Sequence, residues 1–318
     1  MAKKLKREEL LDLIKYYEQA YFTNDDPIPF KDNLIIYPIL VKDYYKFYSV
    51  IGCFKINKNE DMQGVGMSHL DYILYLSEQD ENKKIFFQLI SLLEMIFHIQ
   101  NGIRCPKCGN VISYQEINKN VTNIQSIKDE SLVNLKLEEY LKGIEYCSCV
   151  NEHGEYIKRE NVIEYSRKKG NKYISINGVK IDPNEYDLLR NIVLYYNIPD
   201  YDDEYIDPEL KAELEEVARL KNPNNVQPSL EKQMSCIISA SSAYTYETIK
   251  EISIRKLVLL LRTIDARLHY FAYRQAEASG FVSFKNELTH WIYGVDKKDK
   301  FADVMTMDAL RDKLKDVT

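Results

Sequence analysis

The sequence predicts a mainly α protein: a helical bundle with a β-hairpin and a small zinc-ribbon-like α+β insertion. Three observations predict it. Apolar residues recur every three to four positions over much of the chain, as one face of a helix requires. Gly and Pro are scarce, 11 and 9 in 318 residues, so long elements are seldom interrupted. The helical pattern then lapses around four clustered cysteines, Cys105, Cys108, Cys147 and Cys149. The chain accordingly divides into an N-terminal helical region (1–102), a cysteine-rich insertion (103–160), and a hairpin followed by a C-terminal helical region (161–318).

In chain order, Leu5, Leu10, Leu13, Ile14, Tyr17 and Tyr21 predict an amphipathic helix over 5–22, broken by Asn24-Asp-Asp-Pro-Ile-Pro. An extended run follows at 34–39, where Pro38 excludes a central strand. Helices are predicted at 41–54, at 67–78 with Ser68 and Asp71 at capping-box spacing, and at 83–100 with a wide apolar face. Within the insertion, Asn118 to Asp129 reads as a loose polar excursion, with a helix near 132–142. Residues 161–181 read as a hairpin turning at Lys168-Lys-Gly-Asn, its second strand running unbroken from Tyr173 to Ile181. Asp182-Pro-Asn-Glu starts a helix, and Asp207-Pro-Glu-Leu starts another ending near Leu220. Further helices are predicted at 229–241, 245–252 and 253–279, the last stopping at Ser279-Gly280, and a short one near 306–316. In 253–279, Ile254, Leu257, Val258, Leu261, Ile264, Leu268 and Phe271 make a stripe that reads as a core seam.

In a chain expected to be cytosolic, clustered cysteines suggest metal before disulfide. In Cys105-Pro-Lys-Cys108-Gly109, the proline presets the backbone and the glycine permits a tight return, so two thiolates face one ion. Cys147-Ser-Cys149 supplies the other half of a tetrahedral site, although Cys-x-Cys departs from the usual Cys-x-x-Cys, and His153 is an alternative ligand. Four protein ligands leave no open position, so the expected zinc is structural. Cys53 and Cys236 stand among apolar neighbours and read as buried, inert thiols.

No catalytic residues emerge: His98 and His269 read as core or flank residues, His69 as exposed, and no hydrolase, dinucleotide or phosphate-loop motif occurs. The protein is expected not to be an enzyme. A net charge of −6 disfavours general nucleic-acid binding, which draws its affinity from phosphate neutralisation. Charge is nevertheless uneven, with seven bases and two acids from Tyr156 to Lys180 and twelve acids and four bases from Asp182 to Lys221. No apolar run reaches the length of a membrane helix, so a soluble cytosolic protein without membrane partners is expected.

Leu34-Ile-Ile-Tyr-Pro-Ile-Leu-Val-Lys-Asp-Tyr-Tyr-Lys-Phe and Met67-Ser-His-Leu-Asp-Tyr-Ile-Leu-Tyr-Leu resemble the start of tail proteins from phages of low-GC Gram-positive bacteria. The run from Ile174 to Asn197 is similar to their middle, and Gln275-Ala-Glu-Ala-Ser-Gly-Phe-Val-Ser-Phe-Lys with His290-Trp-Ile resembles the close of phage tail assembly chaperones. The cysteine insertion departs from that pattern. The resemblance implies a non-enzymatic morphogenesis factor in the host cytoplasm, binding the tape-measure protein and the major tail (tube) protein. Its rivals are a structural component of the tail or particle and a zinc-dependent nucleic-acid-binding regulator; a homo-oligomer is compatible with either.

Overall fold

The computed structural model describes residues 6–79, 83–127, 130–168, 171–199, 201, 228–279 and 290–292. Over these residues the protein is mainly helical, with small antiparallel sheets. It divides into two compact units, 1–227 with 250–255, and 228–249 with 256–318.

In the first unit, α1 (Arg7–Tyr17) runs into a π-helical turn, Glu18–Phe22. A hairpin of β1 (Ile28–Lys31) and β2 (Leu34–Ile36) follows. β1 starts where the sequence suggests only a break, because a two-stranded sheet leaves Pro29 an edge position that needs no N–H. The helix expected over 41–54 is split into a 3-10 turn, Val41–Asp43, and two short helices, α2 (Tyr44–Val50) and α3 (Gly52–Lys55), which meet at Ile51. α4 (His69–Gln79) is capped as its spacing suggests: Ser68 Oγ accepts from the Asp71 amide at 3.1 Å and donates to its carboxylate at 3.0 Å. α5 (Lys84–Phe97) buries Leu89, Leu92, Leu93 and Ile96 and stops at His98, whose φ is +51°.

Beyond the cysteine region, β8 (Ile163–Lys168), β9 (Asn171–Ile176) and β10 (Val179–Ile181) form a sheet in the order β10-β9-β8. The strand expected to run from Tyr173 to Ile181 turns back at Asn177-Gly178, with φ of +50° and +81°. Asn-Gly is the commonest hairpin signal for that geometry. The expected turn at 169–170 lies outside the described residues. α8 (Pro183–Asn197) starts as its sequence dictates: Asp182 accepts from the amides of Asn184 and Glu185, and Glu185 accepts from the Asp182 amide.

α5, α8 and the buried face of this sheet share one core with β1, β2 and α4. Phe22 stacks on Tyr196 with ring centroids 4.4 Å apart, and Phe54 meets Tyr186 edge-on. Each such side chain, moved from water to the interior, contributes about 1.5–3 kcal/mol. Residues before and after the cysteine-rich stretch therefore fold together, and that stretch is an excursion from their core.

In the second unit, α9 (Leu230–Ala240) is capped by Ser229 Oγ and buries Leu230, Met234 and Ile237. The helix expected at 245–252 is a 3-10 turn, Thr248–Glu251. α10 spans Ile254–Ala278; its first two residues belong to the first unit, whose core includes Ile254, and the rest to the second. Its stripe is a core seam only at its start: Ile254 and Leu257 are fully buried, whereas Leu268 and Phe271 are 63% and 52% exposed. The helices expected at 207–220 and 306–316 lie outside the described residues. No helix among the described residues is long and apolar enough to cross a membrane.

Candidate metal centre

The excursion is fastened at both ends to one short strand. β3 (Gly102–Arg104) pairs antiparallel with β4 (Val111–Ser113) on one side and with β7 (Glu160–Asn161) on the other. The Val162 amide closes the base by donating to Gly102 O at 2.9 Å. Gly102 is required by proximity: a Cβ there would sit 2.1 Å from Ile112 O. Between β3 and β4 lies the Cys105–Cys108 turn. The Gly109 amide donates to Cys105 O and the Cys105 amide to Asn110 O, both at 2.9 Å. Gly109 has φ +72°, the return the Cys-Pro-x-Cys-Gly pattern calls for.

Two helices follow, α6 (Tyr114–Gln125) and α7 (Glu130–Glu145). The expectation of a loose excursion at 118–129 is corrected, since most of it lies in α6. Ser113 caps that helix, accepting from the Glu116 amide at 3.2 Å. The Ser-x-x-Glu spacing and Ile117, Val121 and Ile124 at helical intervals carried the signal.

The second half-site lies on a hairpin, β5 (Tyr146–Val150) with β6 (Tyr156–Lys158). Asn151 Oδ1 forms its turn, accepting from the amides of His153 and Glu155 at 2.9 Å each. Here the Cys-x-Cys departure finds its reason. Alternate residues of a strand face the same side, so Cys147 and Cys149 present both sulfurs together without a knuckle. The pairing is also irregular, with four residue steps on β5 from Tyr146 to Val150 against two on β6. Lys107 Nζ ties the two halves by donating to Val150 O at 2.7 Å.

The sulfurs of Cys105, Cys108, Cys147 and Cys149 all lie within 4.8 Å of one another. Cys108 Sγ and Cys147 Sγ are 3.7 Å apart, drawn from opposite halves. Cys105 and Cys147 are buried, Cys149 is half-buried and Cys108 is exposed. Sequence and structure thus bring together the same four residues, an arrangement compatible with one metal ion. His153, the alternative ligand, sits exposed in the hairpin turn and outside the cluster.

Without a cation, four sulfurs this close share their charge unequally. The Cys149 backbone N–H and the neighbouring thiols pull Cys147 down to about 6. Hydrogen bonding to the sulfurs of Cys108 and Cys147 pushes Cys149 up to about 12. A bound divalent ion removes that conflict by neutralising the thiolates together.

Other candidate residues sit elsewhere. Cys53 is buried as expected, and burial pushes its thiol up to about 12. Cys236 is exposed, contrary to expectation, because it lies off the face on which α9 buries Met234 and Ile237. His69 is not solvated: its Nδ1 lies 2.9 Å from Asp187 Oδ1, with both side chains 19% exposed. Beside it, Asp71 is bound by Ser68 and Lys172. His98 and His269 are both exposed, contrary to expectation, His98 with its ring stacked on Tyr37 at 4.0 Å and His269 on α10. No family model, curated protein or solved structure matches this chain.

Proposed function

We propose that residues 103–161 form a module held by one structural zinc ion on Cys105, Cys108, Cys147 and Cys149. One observation carries the reading: two local motifs 38 residues apart in sequence place four sulfurs around a common centre. Zn–S bonds of about 2.3 Å at the centre of a tetrahedron imply sulfur–sulfur edges of about 3.8 Å. The 3.7 Å between Cys108 and Cys147 is of that length. A second observation supports a folding role. Among the described residues of 103–161, the buried side chains are Cys105, Ile117 and Cys147. One aliphatic residue is no hydrophobic core, so the ion takes over that work.

The purified chain is expected to carry about one zinc, and Cys105→Ser to lose it. Unchanged metal content in that variant rejects the ligand assignment.

For the whole protein, we propose a non-catalytic phage tail assembly chaperone acting on the tape-measure and tail-tube proteins in the host cytoplasm. The resemblance of 34–47, 67–76, 174–197, 275–285 and 290–292 supports it. So do large apolar side chains left in water, among them Tyr45, Phe87, Leu135 and Tyr156, each more than 60% exposed. Surfaces of this kind suit protein partners. Co-expression with the tail genes tests the proposal: tape-measure or tube subunits should co-purify, and the protein should be missing from purified particles. Its presence in particles favours the structural-component reading instead.

The nucleic-acid reading finds less support. Arg167 is paired with Glu78, Lys172 with Asp71, and Lys180 lies over the Tyr173 ring, which leaves fewer bases of the hairpin for phosphate. A salt-sensitive mobility shift lost on replacing Lys168, Lys169 and Lys172 would restore it.

A further inference from the structure

We propose that the cysteine cluster is also a peroxide-responsive switch, in which oxidation joins Cys108 to Cys147 and expels the metal ion. The inference rests on the metal reading above and adds to it a reason for the unequal exposure of the four sulfurs. A site built only for stability gains from burying all its thiolates, since access invites oxidation. Here Cys105 and Cys147 are 0% and 5% exposed, but Cys108 stands open at the tip of its turn. Its sulfur is 3.7 Å from Cys147 Sγ, on the opposite arm of the module. A disulfide of about 2.05 Å therefore needs an approach of about 1.7 Å. A cleft of about 650 Å³, lined by Gly143, Tyr146, Cys147 and Tyr156, opens beside Cys147, the resolving partner.

The chemistry balances with hydrogen peroxide as the oxidant. The Cys108 thiolate attacks one peroxide oxygen; the O–O bond breaks, a sulfenic acid forms and hydroxide leaves. The Cys147 thiolate then attacks the sulfenic sulfur; the S–S bond forms, the S–O bond breaks and a second hydroxide leaves. Two electrons have passed from the two sulfurs to peroxide. The ion keeps Cys105 and Cys149, two donors of four, and dissociates as these take up protons. A Cys108–Cys147 bond joins the β3–β4 turn to β5, so the arms stay linked when the ion leaves. Disulfides within Cys105–Cys108 or Cys147–Cys149 would leave the arms unlinked.

The test uses the full chain carrying Cys236→Ser, which removes an exposed thiol outside the module. Zinc content is measured first, and then peroxide is added while released zinc is followed with a chromogenic chelator. Peptides are mapped without reduction. The expected result is release of about one zinc per chain together with a Cys108–Cys147 linkage, both reversed by a dithiol and added zinc. Zinc retained through a large excess of peroxide overturns the switch, as does release with linkages confined to either arm. A chain holding no zinc before peroxide overturns the metal reading itself, and the switch with it.

Discussion

Single residues in this protein can be assigned by what surrounds them. Asp182 holds two amides at the start of α8, the helix at the centre of the first unit's core. Asp182→Ala is expected to cost about 1 kcal/mol, read as a lower denaturant midpoint with an unchanged slope. Thiols divide by exposure: in the folded chain an alkylating reagent should modify Cys236 readily and reach Cys53 only after unfolding. Burial also ties Cys53 and Tyr186 to pH, for it raises both above their ordinary values, Cys53 to about 12. An acid raised on folding contributes fully below its unfolded value and loses that contribution as pH climbs to its folded one. Stability is therefore expected to hold at neutral pH and to fall between about pH 9 and pH 12. A Cys53→Ala variant should lose part of that alkaline slope; an identical slope would assign it elsewhere.

Elements explain how the two half-sites meet. β3 is the root of the module, pairing with β4 and β7, and Gly102 lets the β4 backbone approach. In Gly102→Ala the new methyl meets a backbone oxygen that no rotamer change can move. A destabilisation of about 1–3 kcal/mol is expected, with weaker zinc retention in a chelator competition as the signature of a displaced knuckle. Of these elements, the Cys105–Cys108 turn and the α8 cap were legible because each is specified by adjacent residues. The hairpin carrying Cys147 and Cys149 was not. Five residues with a bulge have too little alternation to be read as a strand, and only pairing with Tyr156–Lys158 makes them one. Asn177-Gly178 was legible in principle, but the alternation of Tyr173 to Ile181 continues through it and masks the turn.

For the whole molecule, the proposed division of labour between core and metal has a measurable consequence. The first unit's core draws on residues on both sides of 103–161, whereas among its described residues the module has Ile117 as its buried aliphatic side chain. Chelation of the metal is expected to raise amide exchange throughout 105–158 and to leave that of α5 and α8 near its holo level. Loss of protection in α5 as well would mean that the module and the core unfold as one. Acid should act like the chelator, since thiolate ligands must shed the ion as they take up protons.

Much of this protein follows from sequence alone. Helical periodicity names α4, α5, α8, α9 and α10, four cysteines name the candidate metal site, and Asp182-Pro-Asn-Glu marks where a central helix begins. These are local properties, fixed by neighbours within one or two turns. Tertiary structure alone decided that segments before and after the cysteines share one core, that His69 meets Asp187, and that Leu268 and Phe271 stay in water on a stripe that looks fit for burial. Each of these depends on which distant surface covers a residue. Periodicity shows that a face is apolar, but whether it is buried depends on the partner that packs against it.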